Sequence, residues 1–292
     1  EEEEEGGGDE IAFETITNDA YTVRVTRHCV TKDVKPDPEV AKIVSRYDKI
    51  LGSKMEKPIG QLYAPLDLRF SKIRTQETNS GDLVTDIMRA GVNCDVVLLN
   101  SGTLRADEVT QPGIIRLEFL MKVLPMIDEL CVLELTGAQL RSALENGVSQ
   151  WPRLEGRFPQ ISGMRMVFDG SKPAGSRVVS VAVGGKDLDS ARKYRVCTKC
   201  YLASGKDGYT VFEECRTLVD SENCPVLPTL VRTFCNDLSA LNGYRDIHRM
   251  DAFKLKRLMK STHVKQIRDP DTREMVWAIS ADVDGRIRNV AI

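Results

Sequence analysis

At 292 residues, with 41% hydrophobic and 29% charged side chains, the chain can bury a sizeable core and carry one large domain with appendages. A formal net charge of -2 and a pI near 6.1 give no global reason to bind nucleic acid or an anionic membrane, and no apolar run reaches the ~20 residues that span a bilayer. Eight cysteines dispersed through apolar segments, with no Asn-x-Ser/Thr sequon and no signal sequence, lead to the expectation of reduced thiols in a cytoplasmic protein.

Residues 1–9, an acidic run followed by Gly6, Gly7 and Gly8, read as a solvated linker, with more protein expected upstream. Alternating β-branched residues around Tyr21 to Thr26 predict strands within 11–30. Asp37 is placed to cap a helix with Pro38 at its first position, and Val40, Ile43, Val44, Tyr47 and Leu51 repeat at helical spacing until Gly52 and Pro58. This predicts a linker helix.

From residue 59 strand and helix signals alternate, beginning with an extended stretch from Ile59 to Phe70. Asn79 or Ser80 is expected to cap a helix whose apolar face is Leu83, Val84, Ile87 and Met88. Asp95 to Leu99 is a short continuous apolar run, the pattern of a strand covered on both faces, and it delivers Asn100 to a turn. Further helices are predicted around Arg116–Leu124, Gly137–Ser149 and Pro228–Leu238, and strands at Cys131–Leu135, Met164–Phe168, Val178–Val183, Tyr194–Ala203 and Met275–Ile279. The mixture predicts an α+β (mixed α/β) fold of layered sheets covered by helices, preceded by the linker helix. Asp251 to Lys260 reads as a basic amphipathic helix, a candidate protein-partner surface rather than a clear nucleic-acid site.

Cys197-Thr-Lys-Cys200 lacks a second ligand pair and sits in a strand-like run, where its thiols diverge, so neither zinc nor a redox pair is expected. His28, His248 and His263 fall in no metal-binding pattern and no Gly-x-Ser-x-Gly elbow occurs, so no catalytic residue and no metal ligand is assigned. Five polar or aromatic residues at element ends form a coherent set. Arg74 and Arg105 suit phosphate oxygens, Asn100 can orient a neighbouring oxygen, Asp207 can accept from paired sugar hydroxyls, and Tyr201 offers a flat face.

These residues lie in ordered motifs. Arg74-Thr-Gln-Glu-Thr-Asn-Ser-Gly-Asp-Leu83, Asn100-Ser-Gly-Thr-Leu-Arg105, Val123-Leu-Pro-Met126, Leu135-Thr-Gly-Ala-Gln-Leu140, Gln160-Ile-Ser-Gly163 and Tyr201-Leu-Ala-Ser-Gly-Lys-Asp-Gly208 together resemble the C-terminal domain of the 5'-nucleotidase family. The resemblance implies a substrate-binding domain over 59–238, preceded at 10–58 by the tail of a phosphoesterase domain and an interdomain helix. It makes 239–283 a basic insertion and 284–292 a closing segment. It also implies that Arg74 and Arg105 contact phosphate, that Asn100 helps position it, and that Asp207 holds ribose hydroxyls. Met126 and Tyr201 fall where two aromatic residues sandwich the base, so one aromatic face is replaced by a thioether, and Ser101 replaces a glycine.

The expected ligand is a nucleotide or nucleotide-like small molecule. Hydrolysis is expected of a metal-dependent phosphoesterase parent, by an N-terminal domain with two divalent metal ions that lies outside this chain, which alone should be inactive. The alternative is a non-catalytic interaction or scaffold module that keeps the fold.

Overall fold

The structure, a computed structural model, describes residues 10–17, 21–243, 261–269 and 273–291. It divides into two compact units, Glu1–Lys54 and Met55–Ile292. The helices, in chain order, are α1 (Pro38–Met55), α2 (Phe70–Ile73), α3 (Asn79–Gly91), α4 (Leu117–Val123), α5 (Gly137–Val148), α6 (Cys200–Ala203) and α7 (Leu227–Gly243). Among the described residues no helix is long and apolar enough to cross a membrane.

In the first unit, strands Glu10–Thr17 and Thr22–His28 pair as an antiparallel hairpin. Asp37 caps α1 as expected, its Oδ1 accepting from the amides of Glu39 at 2.9 Å and Val40 at 3.0 Å. The helix runs through Gly52 to Met55, beyond the predicted stop, because the stretch after Gly52 keeps helix-compatible residues until Pro58.

The second unit is organised around a five-stranded mixed sheet, in the order Arg216–Val219, Leu130–Thr136, Lys193–Lys199, Val96–Asn100 and Pro159–Ser162. Val96–Asn100 lies parallel to Lys193–Lys199 and antiparallel to Pro159–Ser162. Alternation of side chains divides the sheet between two cores: Val97 and Leu99 face a cluster with α3, α4 and α7, whereas Val96 and Leu98 face one with α5 and the strand Met164–Phe168. All four are fully buried, each worth roughly 1.5–3 kcal/mol. Sheets on either side complete the layers: Lys186–Asp187, Val178–Val183, Met164–Phe168 and Ile287–Asn289 in one, and Val264–Arg268, Met275–Ile279, Pro58–Leu62 and Gly113–Arg116 in another.

Three local expectations are corrected. The cap of α3 is Thr78, whose hydroxyl accepts from the Gly81 amide, because Asn79 is committed elsewhere, donating to the carbonyls of Pro65 and Ala281. The stretch from Ile59 to Phe70 breaks into the strands Pro58–Leu62 and Leu66–Asp67, with Phe70 opening α2. The strand expected over Tyr194–Ala203 ends at Lys199, where the chain turns into α6, so Cys197 is on the sheet and Cys200 on the helix. Their thiols are free and have different neighbours, Cys94 beside Cys197 and Cys131 beside Cys200.

The basic run 251–260 and His248 lie outside the described residues. The flanking strands Val264–Arg268 and Met275–Ile279 extend the sheet of Pro58–Leu62, with Ile279 opposite Leu62. α7 continues past residue 238 to Gly243.

The end of the chain is clasped by buried charge. Glu77 Oε1 accepts from the amides of Asp284 and Gly285 and its Oε2 from Ile287, at 2.8, 2.9 and 2.9 Å. Arg286 donates to Asp86 at 2.9 Å and to Asp284 at 2.8 Å, and its Nε stands 3.3 Å from Asp82 Oδ1. His263 Nε2 lies 2.8 Å from Asp86 Oδ2. Burial, with Glu77 and Asp284 nearby, pushes the Asp82 carboxyl up to about 9 despite Arg286. Burial also opposes ionisation of Asp86, but hydrogen bonds from His263 and Arg286 outweigh it and hold that carboxyl well below the usual range.

Candidate functional site

The buried run Val96–Leu99 fixes where Asn100 emerges, at the end of the strand. The Asn100 Nδ2 donates to Asp207 Oδ2 at 2.7 Å, and its Oδ1 accepts from Thr103 Oγ1 at 2.7 Å. Beyond it the chain makes a single 3₁₀ turn, Ser101–Thr103, whose backbone bonds to a second loop: Ser101 N donates to Phe158 O and Gly102 N to Gly156 O, at 2.8 and 2.9 Å. That approach needs a glycine, since a Cβ on Gly102 would stand 3.0 Å from Gly156 Cα. Ser101 is accommodated without disturbance, fully buried with its hydroxyl donating to Gly156 O at 3.2 Å.

Asp207 comes from a loop of unusual backbone. Gly205, Asp207 and Gly208 have φ of 74°, 54° and 81°, in the left-handed region. Asn146 on α5 holds the turn by donating to the Asp207 carbonyl at 3.1 Å, and a Cβ on Gly208 would meet the Asn146 amide oxygen at 2.6 Å. Fully buried Tyr209 pins the loop's far side, its hydroxyl donating to Arg157 O at 2.7 Å. Strain of this kind, held by the surroundings, aims the Asp207 carboxylate. Tyr201, in the first turn of α6, donates its hydroxyl to Asp207 Oδ1 at 2.9 Å, an interaction that raises the phenol's pKa. Its ring remains half exposed.

The arginines are held by their own contacts. Arg105 is oriented by donating from Nε to Gly102 O at 2.7 Å, while its backbone amide donates to Val123 O. Arg74, at the end of α2, lies over the Phe70 ring at 3.9 Å and donates to Leu154 O at 3.0 Å. Burial and then the charge of Arg105 lower the Arg74 pKa, partly offset by Asp107 and Glu155. Two guanidiniums within electrostatic reach, neither in an ion pair among the described residues, form a place where an anion relieves repulsion. Tyr201 also feels the charge of Arg105, which ties the two halves together.

Met126 is exposed, as is its neighbour Ile127. Its segment runs beside both halves: Val123 O receives the Arg105 amide and Glu129 O receives that of Cys200. The structure therefore gathers Arg74, Asn100, Arg105, Tyr201 and Asp207 by direct contact or field, and places the Met126 segment alongside. Unlike a free amide aimed at an anion, Asn100 is committed to Asp207 and Thr103.

Sequence reasoning missed the layer beneath. Lys199 and Asp128 form an ion pair of 2.5 Å, each side chain 9% exposed. Lys199 Nζ also donates to Thr103 Oγ1 at 3.1 Å and stands 5.3 Å from the centroid of the Tyr201 ring. The one available signal was weak: a lysine directly after Val196-Cys-Thr198 at the end of a strand, a place that demands a partner once it is buried.

Among the described residues, Glu77, Asp82 and Asp284 are the group with carboxylate oxygens close enough to share a cation, within 4.8 Å of one another. Arg286 already supplies their positive charge, and Glu77 is filled by three backbone amides. The cluster serves as a clasp.

The chain matches the family described as "5'-nucleotidase, C-terminal domain" over residues 58–214, more than half its length. It belongs to the 5'-nucleotidase family and carries that family's C-terminal domain. It is 29% identical over 194 residues to the trifunctional nucleotide phosphoesterase protein YfkN of Bacillus subtilis (strain 168), covering 63% of this chain and 13% of YfkN. To the snake venom 5'-nucleotidase of Naja atra it is 30% identical over 200 residues, covering 62% of this chain and 38% of that protein. The crystal structure of the 5'-nucleotidase precursor from Thermus thermophilus superposes with a TM-score of 0.68 at 27% identity, over 93% of this chain and 46% of that one. The chain spans less than half the length of each of these relatives.

Proposed function

We propose that this domain binds a nucleotide or a related phosphate ester, as the substrate-binding part of a metal-dependent 5'-nucleotidase-type phosphoesterase. The observation that carries the reading is the Asp207 carboxylate, fixed on a strained loop by Asn100 and by Tyr201, which also feels the charge of Arg105, while Arg105 and Arg74 form no ion pair among the described residues. An ester with a diol at one end and a phosphate at the other meets both charges. The arginines take phosphate oxygens, Asp207 accepts from the sugar hydroxyls, and the base lies against Tyr201 with Met126 as the softer opposite wall.

Hydrolysis in this reading belongs to a separate domain with two divalent metal ions, which polarise the phosphate and activate water. The chain itself contributes capture and orientation. The relatives, a nucleotide phosphoesterase and a snake venom 5'-nucleotidase, support this class of substrate.

The test is calorimetric titration of the chain with AMP, adenosine, UDP-glucose and inorganic phosphate, repeated with Asp207→Ala. Nucleotide binding that needs Asp207 is the expected result. A folded chain that binds none of the four would sink the reading in favour of an interaction or scaffold module.

A further inference from the structure

We propose that Lys199 is a positioning residue for the ligand site: through Thr103 it fixes the Asn100 amide, and through Asn100 it holds one oxygen of Asp207 in place. The inference follows from which groups can donate. A lysine ammonium has three N–H donors and no acceptor, so at the 3.1 Å contact Thr103 Oγ1 must accept. The hydroxyl's single hydrogen is then free to go only outward, to Asn100 Oδ1 at 2.7 Å. That bond turns the amide so that its NH2 faces Asp207 Oδ2 at 2.7 Å. The chain of donors runs one way, from a buried cation to the carboxylate that faces solvent.

Asp207 could orient Asn100 by itself while no ligand is present. When hydroxyl groups of a ligand compete for its lone pairs, the amide needs a hold from behind. Lys199 provides it, and Asp128 anchors Lys199 in turn: the pair is 9% exposed on each side, and the Asp128 backbone carbonyl is fixed by the Leu227 amide at the start of α7. Lys199 also lies beneath the Tyr201 ring at 5.3 Å, so both residues that grip Asp207 rest on the same ammonium. The arginines stand outside this relay; neither bonds to Thr103, Lys199 or Asp128 among the described residues.

The inference rests on the nucleotide-binding reading for its effect on affinity, and on geometry alone for the state of Asn100. Lys199→Met by itself strands a buried carboxylate, so the decisive variant is Lys199→Met with Asp128→Leu, which replaces the ion pair by apolar side chains and is expected to keep the thermal midpoint close to that of the unaltered chain. Two readouts are taken. Adenosine and AMP affinities, by calorimetry, are expected to weaken about tenfold, the loss of one hydrogen bond to a charged group, while the affinity for inorganic phosphate stays unchanged. A general loosening of the domain would weaken all three together.

The second readout needs no ligand. The side-chain amide resonances of Asn100, assigned by their loss in Asn100→Ala, are expected to shift and to exchange faster with solvent in the double variant. A folded double variant that keeps these resonances overturns the relay, and one that keeps its adenosine affinity overturns its part in binding. If the unaltered chain binds no nucleoside, the nucleotide reading falls, and the Asn100 resonances still decide whether Lys199 holds the amide.

Discussion

Two polar networks, both assembled from distant parts of the chain, differ in what they leave unused. At the clasp, Glu77, Asp86, Asp284 and Arg286 spend their hydrogen-bonding capacity on one another and on backbone amides. At the candidate site, Asp207 is gripped at one point on each oxygen, Arg74 and Arg105 have no carboxylate partner among the described residues, and Tyr201 keeps an open ring face. A network turned on itself closes a fold, whereas one held from behind with spare valence in front is fitted to receive something. The contrast separates residues whose loss unfolds the domain from those whose loss empties it.

Arg286→Ala should break that contrast most severely. Removing the guanidinium leaves the Asp86 and Asp284 carboxylates without their cation, and the expected loss is about 3–5 kcal/mol in urea denaturation. An unchanged midpoint would mean that the clasp does not stabilise the fold. Arg105→Ala tests the other side: affinity for phosphate-bearing ligands should fall by about 3 kcal/mol in calorimetry, with the denaturation midpoint shifted by no more than ~0.5 kcal/mol. Unaltered AMP affinity would remove Arg105 from the site.

Asp82 gives the comparison a pH dependence. Its carboxyl is raised in the folded chain from 3.8 to about 9, so the folded state keeps a proton that the unfolded chain releases. Its contribution to stability is therefore fully present below pH 3.8 and is lost as pH rises towards 9. Asp86 and Asp284 act in the opposite sense, since their depressed values give stability that is lost on acidification. Asp82→Asn should flatten that decline between pH 3.8 and about 9 and stabilise the domain by about 1–3 kcal/mol near pH 9, measured by denaturation across pH. An equal decline in the variant would show that Asp82 is not the group responsible. The smallest effect is expected for Tyr201→Phe, which keeps the ring and loses one bond to Asp207: about a fivefold weaker adenosine affinity and no change in stability. A loss as large as that of Asp207→Ala would show that the hydroxyl, not the ring, dominates.

What the sequence made legible is what local rules govern. The apolar run before Asn100 declared a doubly covered strand, and the helix expected from Gly137 is α5, although the reciprocal cap of Thr136 and Gln139 that opens it was not read. Arg74, Asn100, Arg105 and Asp207 were legible through ordered motifs. Thr78 went unseen as a cap because Asn79, a better capping residue by type, is drawn away by Pro65 and Ala281, and no local rule anticipates that competition. Lys199 and Asp128 were missed for a related reason: a buried ion pair is invisible until the strand and the loop that carry it are brought together. The clasp joins residues 200 positions apart, as in Arg286 to Asp86.

The span of that clasp also sets a timetable. Glu77 and the amide of Asp284 are 207 residues apart, so a ribosome adding about 5–20 residues per second makes Glu77 roughly 10–40 s before its partner. During that interval the helix that follows Glu77 carries Asp82 into an interior whose cation has not been synthesised. The clasp therefore closes only at the end of synthesis, in step with the last described strand, Ile287–Asn289, which lies in parallel beside Met164–Phe168.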